Sequence, residues 1–278
     1  MIHILLSTYN GERYLAEQLD SILAQTYTDW RLYVRDDGSN DSTIDILRRY
    51  ANAHPKQIQL SLENNNLGAC ASFERLLAQH GGADYYAFCD QDDIWMPDKL
   101  SICVEEMQRQ EQFQPNKAIV VHTDLQVVDA QLNRLSPSFW EYGGICPDIL
   151  DGNIHYLAIC NSVTGCAMLM NNTARECALP FYANAFMHDA WIGLRVLADG
   201  GVVVPINRAT IYYRQHIDNV CGAQRYRFRM NNLREKYWLA KRSYATGHPL
   251  VFRNKLHFLW WKMIYSFVLH SHRLRHSA

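Results

Sequence analysis

The feature that most constrains the fold is a rhythm in the first hundred residues, where a short apolar run gives way to a stretch of helical period four times over. Residues 2–7 read as a first strand, and residues 12–25 follow with Tyr14, Leu15, Leu19, Ile22 and Leu23 at helical spacing. Residues 30–35 alternate into a second strand. Residues 44–53 are again helical, with Asp41 or Ser42 available as N-cap. A third strand at 58–62 precedes a helix at 69–79, and an aromatic-rich run at 85–89 precedes Pro97, Lys99 and Leu100, where a fourth helix can begin. Strand alternating with helix predicts an α/β fold with a mostly parallel sheet flanked by helices. In such sheets ligands bind beyond the carboxyl ends of the strands, near a switch in strand order. The polar clusters at residues 7–10, 36–43 and 90–93 all fall at those ends, on one edge of the sheet and facing one crevice.

The third cluster carries the most chemistry. Asp90, Asp92 and Asp93 crowd the end of a strand that reads as buried on both faces. Carboxylates gathered there repel one another and lose hydration, and a bound divalent cation compensates both costs. Oxygen ligands in this arrangement suit Mg²⁺ or Mn²⁺, which commonly bridge a protein carboxylate to substrate phosphates. The plainer alternative is a solvated acidic turn.

The second half is less regular. Residues 118–122 and 125–128 read as two strands separated by Thr123 and Asp124, and residues 136–149, rich in Gly, Pro and aromatics, as a loop. Residues 162–170 read as a strand that begins at a polar step. Met187, His188 and Asp189 open a helix to about residue 198, and 202–205 and 210–214 are further strands, closed by His216. The N-terminus has no basic region and no long apolar one, so it reads as a strand and not as a signal peptide. The eight cysteines show no Cys-x-x-Cys pair and no metal-ligand rhythm. Several sit in apolar runs, where a thiol behaves as a small hydrophobe, and a reducing cytosol fits that usage.

Charge divides the chain more sharply than composition does. From Arg225 onward twelve Lys and Arg stand against one acid, Glu235, so the tail carries +11 and the first 224 residues carry −12. An acidic body and a basic, aromatic tail read as two pieces, residues 1–222 and 223–278. The apolar run at 258–269 is interrupted by Lys262 and is too short to span a bilayer. Aromatics interleaved with Lys and Arg suit an interfacial helix on an anionic membrane. A helical cap on the acidic body is the alternative. Nucleic acid is not expected, since no recognisable binding motif is present.

The order of short motifs completes the reading. Ser7-Thr8-Tyr9-Asn10 comes first, then Tyr14-Leu15, Gln18-Leu19-Asp20-Ser21-Ile22-Leu23 and Gln25-Thr26-Tyr27. Asp36-Asp37-Gly38-Ser39, Asp90-Gln91-Asp92-Asp93, His188-Asp189 and a late His216 follow. In this order and strand context, residues 1–222 resemble the family 2 glycosyltransferases, whose single nucleotide-sugar-binding α/β domain is called GT-A. The segments Phe88-Cys89-Asp90-Gln91-Asp92-Asp93-Ile94-Trp95 and Tyr213-Arg214-Gln215-His216 are most similar to a bacterial rhamnosyltransferase-like branch.

The resemblance implies a metal-dependent, inverting transferase at the inner face of the cell membrane. It would move one sugar from a dTDP- or UDP-sugar, dTDP-rhamnose foremost, to a lipid-linked oligosaccharide in O-antigen or capsule synthesis. It assigns Asp37 to the imide N–H of the base, which only an acceptor satisfies, with Ser7 and Tyr9 flanking that base; alternatively Asp36 and Asp37 start a turn, a purpose Asp41 already serves. Asp90 lies under the diphosphate, and Asp92, Asp90 and His216 hold Mn²⁺ or Mg²⁺. Asp93 bonds the sugar or the helix that follows. Asp189 is the candidate general base, although an N-cap is equally within its reach. His188, Trp191 and Gly165 border the sugars, Gly165 by close backbone approach or as a bend in a strand. Ala190 stands where an aromatic is common in this branch, a departure on the acceptor side.

Gln224-Arg225-Tyr226-Arg227-Phe228 resembles the Gln-x-x-Arg-Trp signature of processive synthases, but its aromatic differs and their membrane spans are missing, so a single sugar is expected per acceptor. A nucleotidyltransferase, the rival enzyme, would show a Gly-rich basic loop where Thr8-Tyr9-Asn10-Gly11-Glu12 stands. A non-catalytic nucleotide-sugar-binding module would have no use for Asp90, Asp92 and Asp189 together.

Overall fold

In the computed structural model the alternation becomes one nine-stranded sheet with helices on both faces. The structure describes residues 1–63, 65–217, 219, 222–223 and 233–276, the side chains of 233–236 and 273–276 apart. Cys221 and the segment 224–228 lie outside the described residues.

The chain runs β1 (Ile2–Thr8), α1 (Leu15–Leu23), β2 (Trp30–Asp37), α2 (Thr43–Ala53), β3 (Ile58–Glu63), α3 (Ala69–Gln79), β4 (Tyr85–Cys89), β5 (Ile94–Trp95) and α4 (Lys99–Phe113). It continues with β6 (Ile119–Asp129), β7 (Arg134–Ser136), α5 (Phe139–Gly143), α6 (Pro147–Leu150), α7 (Ile154–Ile159), β8 (Met168–Asn171), α8 (Asn172–Ala178), α9 (His188–Ala198), β9 (Val202–Gln215), α10 (Leu233–Gly247) and α11 (Lys255–His276). The strand order is β3-β2-β1-β4-β8-β6-β9-β5, with β7 paired to β6. The run β3-β2-β1-β4 is parallel throughout, and β9 is parallel to β6. Between these two parallel groups β8 lies antiparallel to both β4 and β6.

Successive side chains of a strand point to opposite faces, and both faces here are covered. Ile4 and Leu6 of β1 pack with Leu15, Leu19 and Ile22 of α1 and with Leu100 and Met107 of α4. Leu5 faces the other way and joins Phe73, Leu76 and Leu77 of α3, with Trp191 and Ile192 of α9. The second core also takes in Phe252, Phe258 and Tyr265, so α10 and α11 pack on α7 and α9 and the tail helices close this face of the body. Among the described residues no helix is long and apolar enough to cross a membrane.

Four stretches differ from the sequence reading. Residues 118–128 hold one long strand, β6, whose register against β9 shifts at Thr123 and Asp124. β9 likewise runs unbroken, because the pairing jumps from Ile206 to Ala209 and leaves Asn207 and Arg208 as the extra residues of a bulge. The loop of 136–149 contains α5 and α6; Ser138 accepts the Glu141 N–H and so caps α5. Of residues 162–170, read as one strand, 162–167 form a coil and a 3₁₀ turn, Gly165–Ala167, and β8 begins only at Met168.

With both faces of β1 covered, Leu5→Ala and Leu6→Ala should each cost about 2–5 kcal/mol, the range for a buried Leu truncated to Ala. Chemical denaturation measures both; a near-neutral result for either would mean that its face of the sheet is open.

Candidate active site

The carboxyl ends of β1, β2 and β4 meet the loops before β8 and α9 around a crevice of about 770 Å³. Ser7, Tyr9, Asp37, Asp90, Asp92, Gly165, His188 and Asp189 all line it.

At one end, parallel pairing sets Thr8 of β1 level with Asp36 of β2. Asp36 is consumed by the turn: its carboxylate accepts from the Thr8 hydroxyl at 2.9 Å, Ser39 Oγ at 2.6 Å and the Ser39 N–H at 2.8 Å. Asp37 takes bonds from the Arg35 guanidinium and, at 2.8 Å each, from the N–H groups of Leu67 and Gly68. Burial alone would raise the Asp37 pKa, but the bonds from Leu67, Arg35 and Gly68 outweigh it and hold the carboxyl below its ordinary value. Asp37 is thus a fixed anion at the crevice, its Oδ2 accepting the Gly68 N–H.

The Asp90–Asp93 loop is pinned from two sides. Gln91 pairs with the Tyr9 backbone, accepting its N–H at 2.8 Å and donating to its carbonyl at 3.0 Å. A Cβ on Gly11 would come within 2.4 Å of Gln91 Oε1, so the glycine is what lets the two loops close. From the other side comes Arg214 of β9, only 2% exposed. Its N–H donates to Asp93 Oδ1 at 3.0 Å, and its guanidinium donates to the carbonyls of Asp92 and Ala130, both at 2.9 Å, and to Glu17. Asp93 is therefore turned inward and wholly buried, which removes it from the sugar-binding role the resemblance implies. Burial, then Asp92 and Asp90, raise its carboxyl well above the usual range.

Asp90 is raised to about 7, by burial first and then by the neighbouring charges of Asp92 and Asp189. Asp92 Oδ2 lies 2.8 Å from His216 Nε2. Among the described residues, the three ligand-type groups whose atoms fall within 4.8 Å of one another are Asp90, Asp93 and Cys166. The implied trio of Asp90, Asp92 and His216 thus does not close as such; the Asp92–His216 pair does. A cation still fits the donor set, because it would favour the anion of Asp90, whose pKa of about 7 leaves it only part-ionised at neutral pH, and carboxylate and imidazole ligands suit Mn²⁺.

At the opposite wall, Asp189 lies in the first turn of α9 and accepts the Ala190 N–H and, at 3.1 Å, the Gly165 N–H. Its pKa is raised to about 6 by burial, with these two bonds opposing. His188 is 2% exposed, packs against Phe73 and Phe88, and burial pushes it down to about 3, so it is neutral. A Cβ on Gly165 would fall 2.3 Å from His188 Nε2, so the glycine leaves room for the buried imidazole. Trp191 does not reach the crevice: its indole N–H donates to the Ala178 carbonyl at 2.8 Å and its ring stacks on Tyr182. Between lining residues of α9 but turned to its other side, it serves the core.

Sequence reasoning assigned no role to Arg35, Gln91 or Arg214. An arginine inside an apolar strand was the available signal for Arg35 and Arg214. Gly165→Ala should lower stability by displacing His188, and His188→Ala in the same chain should recover much of that loss. A double-mutant cycle in urea reads the coupling, and additive effects would deny the contact.

The Glycosyl transferase family 2 model matches residues 3–143, half of the chain. Putative glycosyltransferase EpsE of Bacillus subtilis is 34% identical over 145 residues, which cover 51% of this chain and 50% of that protein. dTDP-rhamnosyl transferase RfbG of Shigella flexneri is 35% identical over 103 residues, 36% of each. The matched stretch spans half or less of these curated relatives. Among solved structures, S. aureus TarS 1–349 in complex with UDP-GlcNAc superposes with a TM-score of 0.61 at 15% identity, over 87% of this chain and 66% of that one. At that identity the likeness is one of fold.

Proposed function

The chain belongs to glycosyl transferase family 2 and has the GT-A fold, and we propose that it transfers a single sugar, with inversion, from a nucleotide diphosphate sugar to a lipid-linked oligosaccharide in bacterial surface-polysaccharide synthesis. The observation that carries the reading is one crevice lined by Asp37, Asp90, Asp92 and Asp189.

In this reading Asp37, a fixed anion, accepts the imide N–H of a thymine or uracil base, beside Ser7 and Tyr9. Likeness to RfbG supports thymine and rhamnose first, with a UDP-hexose as second choice. The Asp92–His216 pair, with Asp90 beside it, would hold Mn²⁺ or Mg²⁺, which would supply charge neutralisation for the departing nucleoside diphosphate. The acceptor hydroxyl oxygen forms the new bond to the anomeric carbon as the bond to the diphosphate breaks, and its proton passes to the Asp189 carboxylate. A base with a pKa of about 6 is ionised at neutral pH yet retains proton affinity. Neutral His188 adds no charge beside it. A transferase reading is supported over a nucleotidyltransferase one because no basic loop follows β1.

Asp189→Asn should lower kcat by roughly 10²–10⁴-fold, the usual worth of a general base, while nucleotide binding persists. The wild-type profile of kcat/KM should lose activity as Asp189 protonates, with an acid limb at about 6. Normal turnover by the Asn variant, or an acid limb near 8, would remove Asp189 from this role. A screen of dTDP- and UDP-sugars with Mn²⁺, Mg²⁺ and EDTA identifies the donor; full activity in EDTA would sink the metal assignment.

The same reading seats the protein on the inner face of the cell membrane. Leu256, Leu259, Trp260, Met263 and Phe267 recur at helical spacing on α11 and are exposed, Leu256 by 77% and Phe267 by 73%. Arg253 and Lys255 stand exposed at the start of this stripe, the composition of an interfacial helix on anionic lipid. Vesicles containing phosphatidylglycerol should carry the protein up a density gradient, and replacing Trp260 and Phe267 with Ser should abolish flotation.

A further inference from the structure

A central strand of the sheet carries a residue that its apolar neighbours do not explain. Residues 119–122 of β6 read Ile, Val, Val, His, all with no exposed surface. A polar ring cut off from water costs stability unless it is hydrogen-bonded. His122 Nε2 lies 2.7 Å from Asp151 Oδ2. Asp151, just past α6, is itself buried, and its Oδ1 accepts from the hydroxyl of Ser162, which is buried as well. A carboxylate only accepts, so Nε2 carries the proton of the ring and both neighbours donate to Asp151. The other ring nitrogen, Nδ1, is buried with no hydrogen bond among the described residues. Holding Asp151 is thus the polar task this imidazole performs.

The line of bonds leads toward the candidate base. Ser162 lies in the coil between α7 and the 3₁₀ turn, three residues before Gly165. Asn161, Val163, Thr164 and Gly165 of this stretch line the crevice, whereas His122, Asp151 and Ser162 stand behind its wall. Asn161 stiffens the coil by bonding Val163 twice: its Nδ2 donates to the Val163 carbonyl at 2.7 Å, and its Oδ1 accepts the Val163 N–H at 3.2 Å. Ser162 ties the stiffened coil, through Asp151, to the sheet. At the far end the Gly165 N–H donates to Asp189 Oδ2 at 3.1 Å. That bond favours the Asp189 anion and opposes the rise in pKa that burial causes.

We infer that His122, Asp151 and Ser162 are positioning residues for the base: they hold the coil that presents the Gly165 N–H to the Asp189 carboxylate. This rests on Asp189 as general base, proposed above, and adds what aims it. The sheet then fixes both sides of the reaction, the donor side through its strand ends and the base through this buried line.

The test compares turnover, nucleotide affinity and pH profiles of variants of the full chain. Ser162→Ala should lower kcat by roughly ten- to a hundredfold, the scale of a small misplacement near the reacting atoms, while titrated nucleotide affinity stays as in the unaltered protein. Loss of the Gly165 bond should also move the acid limb of kcat/KM to higher pH, because the Asp189 carboxylate then takes up its proton sooner. Asp90 and Cys70 feel the charge of Asp189 too, and the substitution leaves both in place. Ser162→Thr, which keeps the hydroxyl, should stand close to the unaltered protein in kcat and in the limb. In an Asp189→Asn background Ser162→Ala should cost little more, since the group it aims is gone. Asp151→Asn keeps the shape and one acceptor oxygen; it should give a smaller loss of the same kind, and it carries the test if the Ala variant does not fold by circular dichroism. An unchanged kcat and acid limb in the folded Ser162→Ala or Asp151→Asn protein would overturn the inference and leave Asp189 as the base, as would a loss that simply adds to that of Asp189→Asn. Normal turnover by Asp189→Asn alone would remove the base, and this inference with it.

Discussion

Like charges gathered in a confined space are the constraint on which this structure turns. Asp37, Asp90, Asp92 and Asp189 share one crevice, with Asp93 just beneath it, and neighbouring carboxylates raise the cost of ionising Asp90 and Asp93. Two buried arginines hold the arrangement. Arg35, with no exposed surface, grips Asp37, the Ser72 hydroxyl and Asn65. Arg214 grips the Asp92 carbonyl, the Asp93 carboxylate, Ala130 and Glu17, and its guanidinium lies 4.4 Å from the Tyr14 centroid. A buried guanidinium is tolerated when its donors are used, and here the partners are the loops that must not move.

Topology explains how residues so distant in the chain arrive together. The parallel group from β3 to β4 delivers Ser7, Asp37 and Asp90 at its carboxyl ends. β9 runs alongside β6 over fourteen residues, and its last turns reach back to the acidic loop, bringing Arg214 and then His216 to Asp92. The bulge at Asn207 and Arg208 lets one strand serve both ends, because it re-aims the pairing without ending it.

Much of this was legible because helices and strands of the first hundred residues alternate with strong periods and polar residues cluster at the strand ends. The second half was harder to read for physical reasons. Pro205 reads as a strand breaker, yet here it sits just before a bulge and β9 continues. The helices α5 and α6 are five and four residues long, too short for a 3.6-residue period to register. Within the acidic motif, which carboxylate faces the crevice and which faces the core depends on the turn after β4, so Asp93 and Asp92 look alike in sequence and differ in the fold. Trp191 is a similar case, since only the packing of Tyr182 and Ala178 reveals which side of α9 it takes.

The two walls of the crevice are built from different materials. The side holding Asp37, Asp90 and Asp92 is made of strand ends locked into a sheet, where a shift of register would flip whole faces. The side facing them is made of α5, α7, α10 and the coil before Gly165, short pieces tethered by caps, ring stacks and single hydrogen bonds. Such pieces tolerate insertion and exchange far better than paired strands do. A lineage carrying this scaffold can therefore retool what enters from the helical side by small steps while the strand side stays the same, and neighbouring enzymes can share one currency while building different chains.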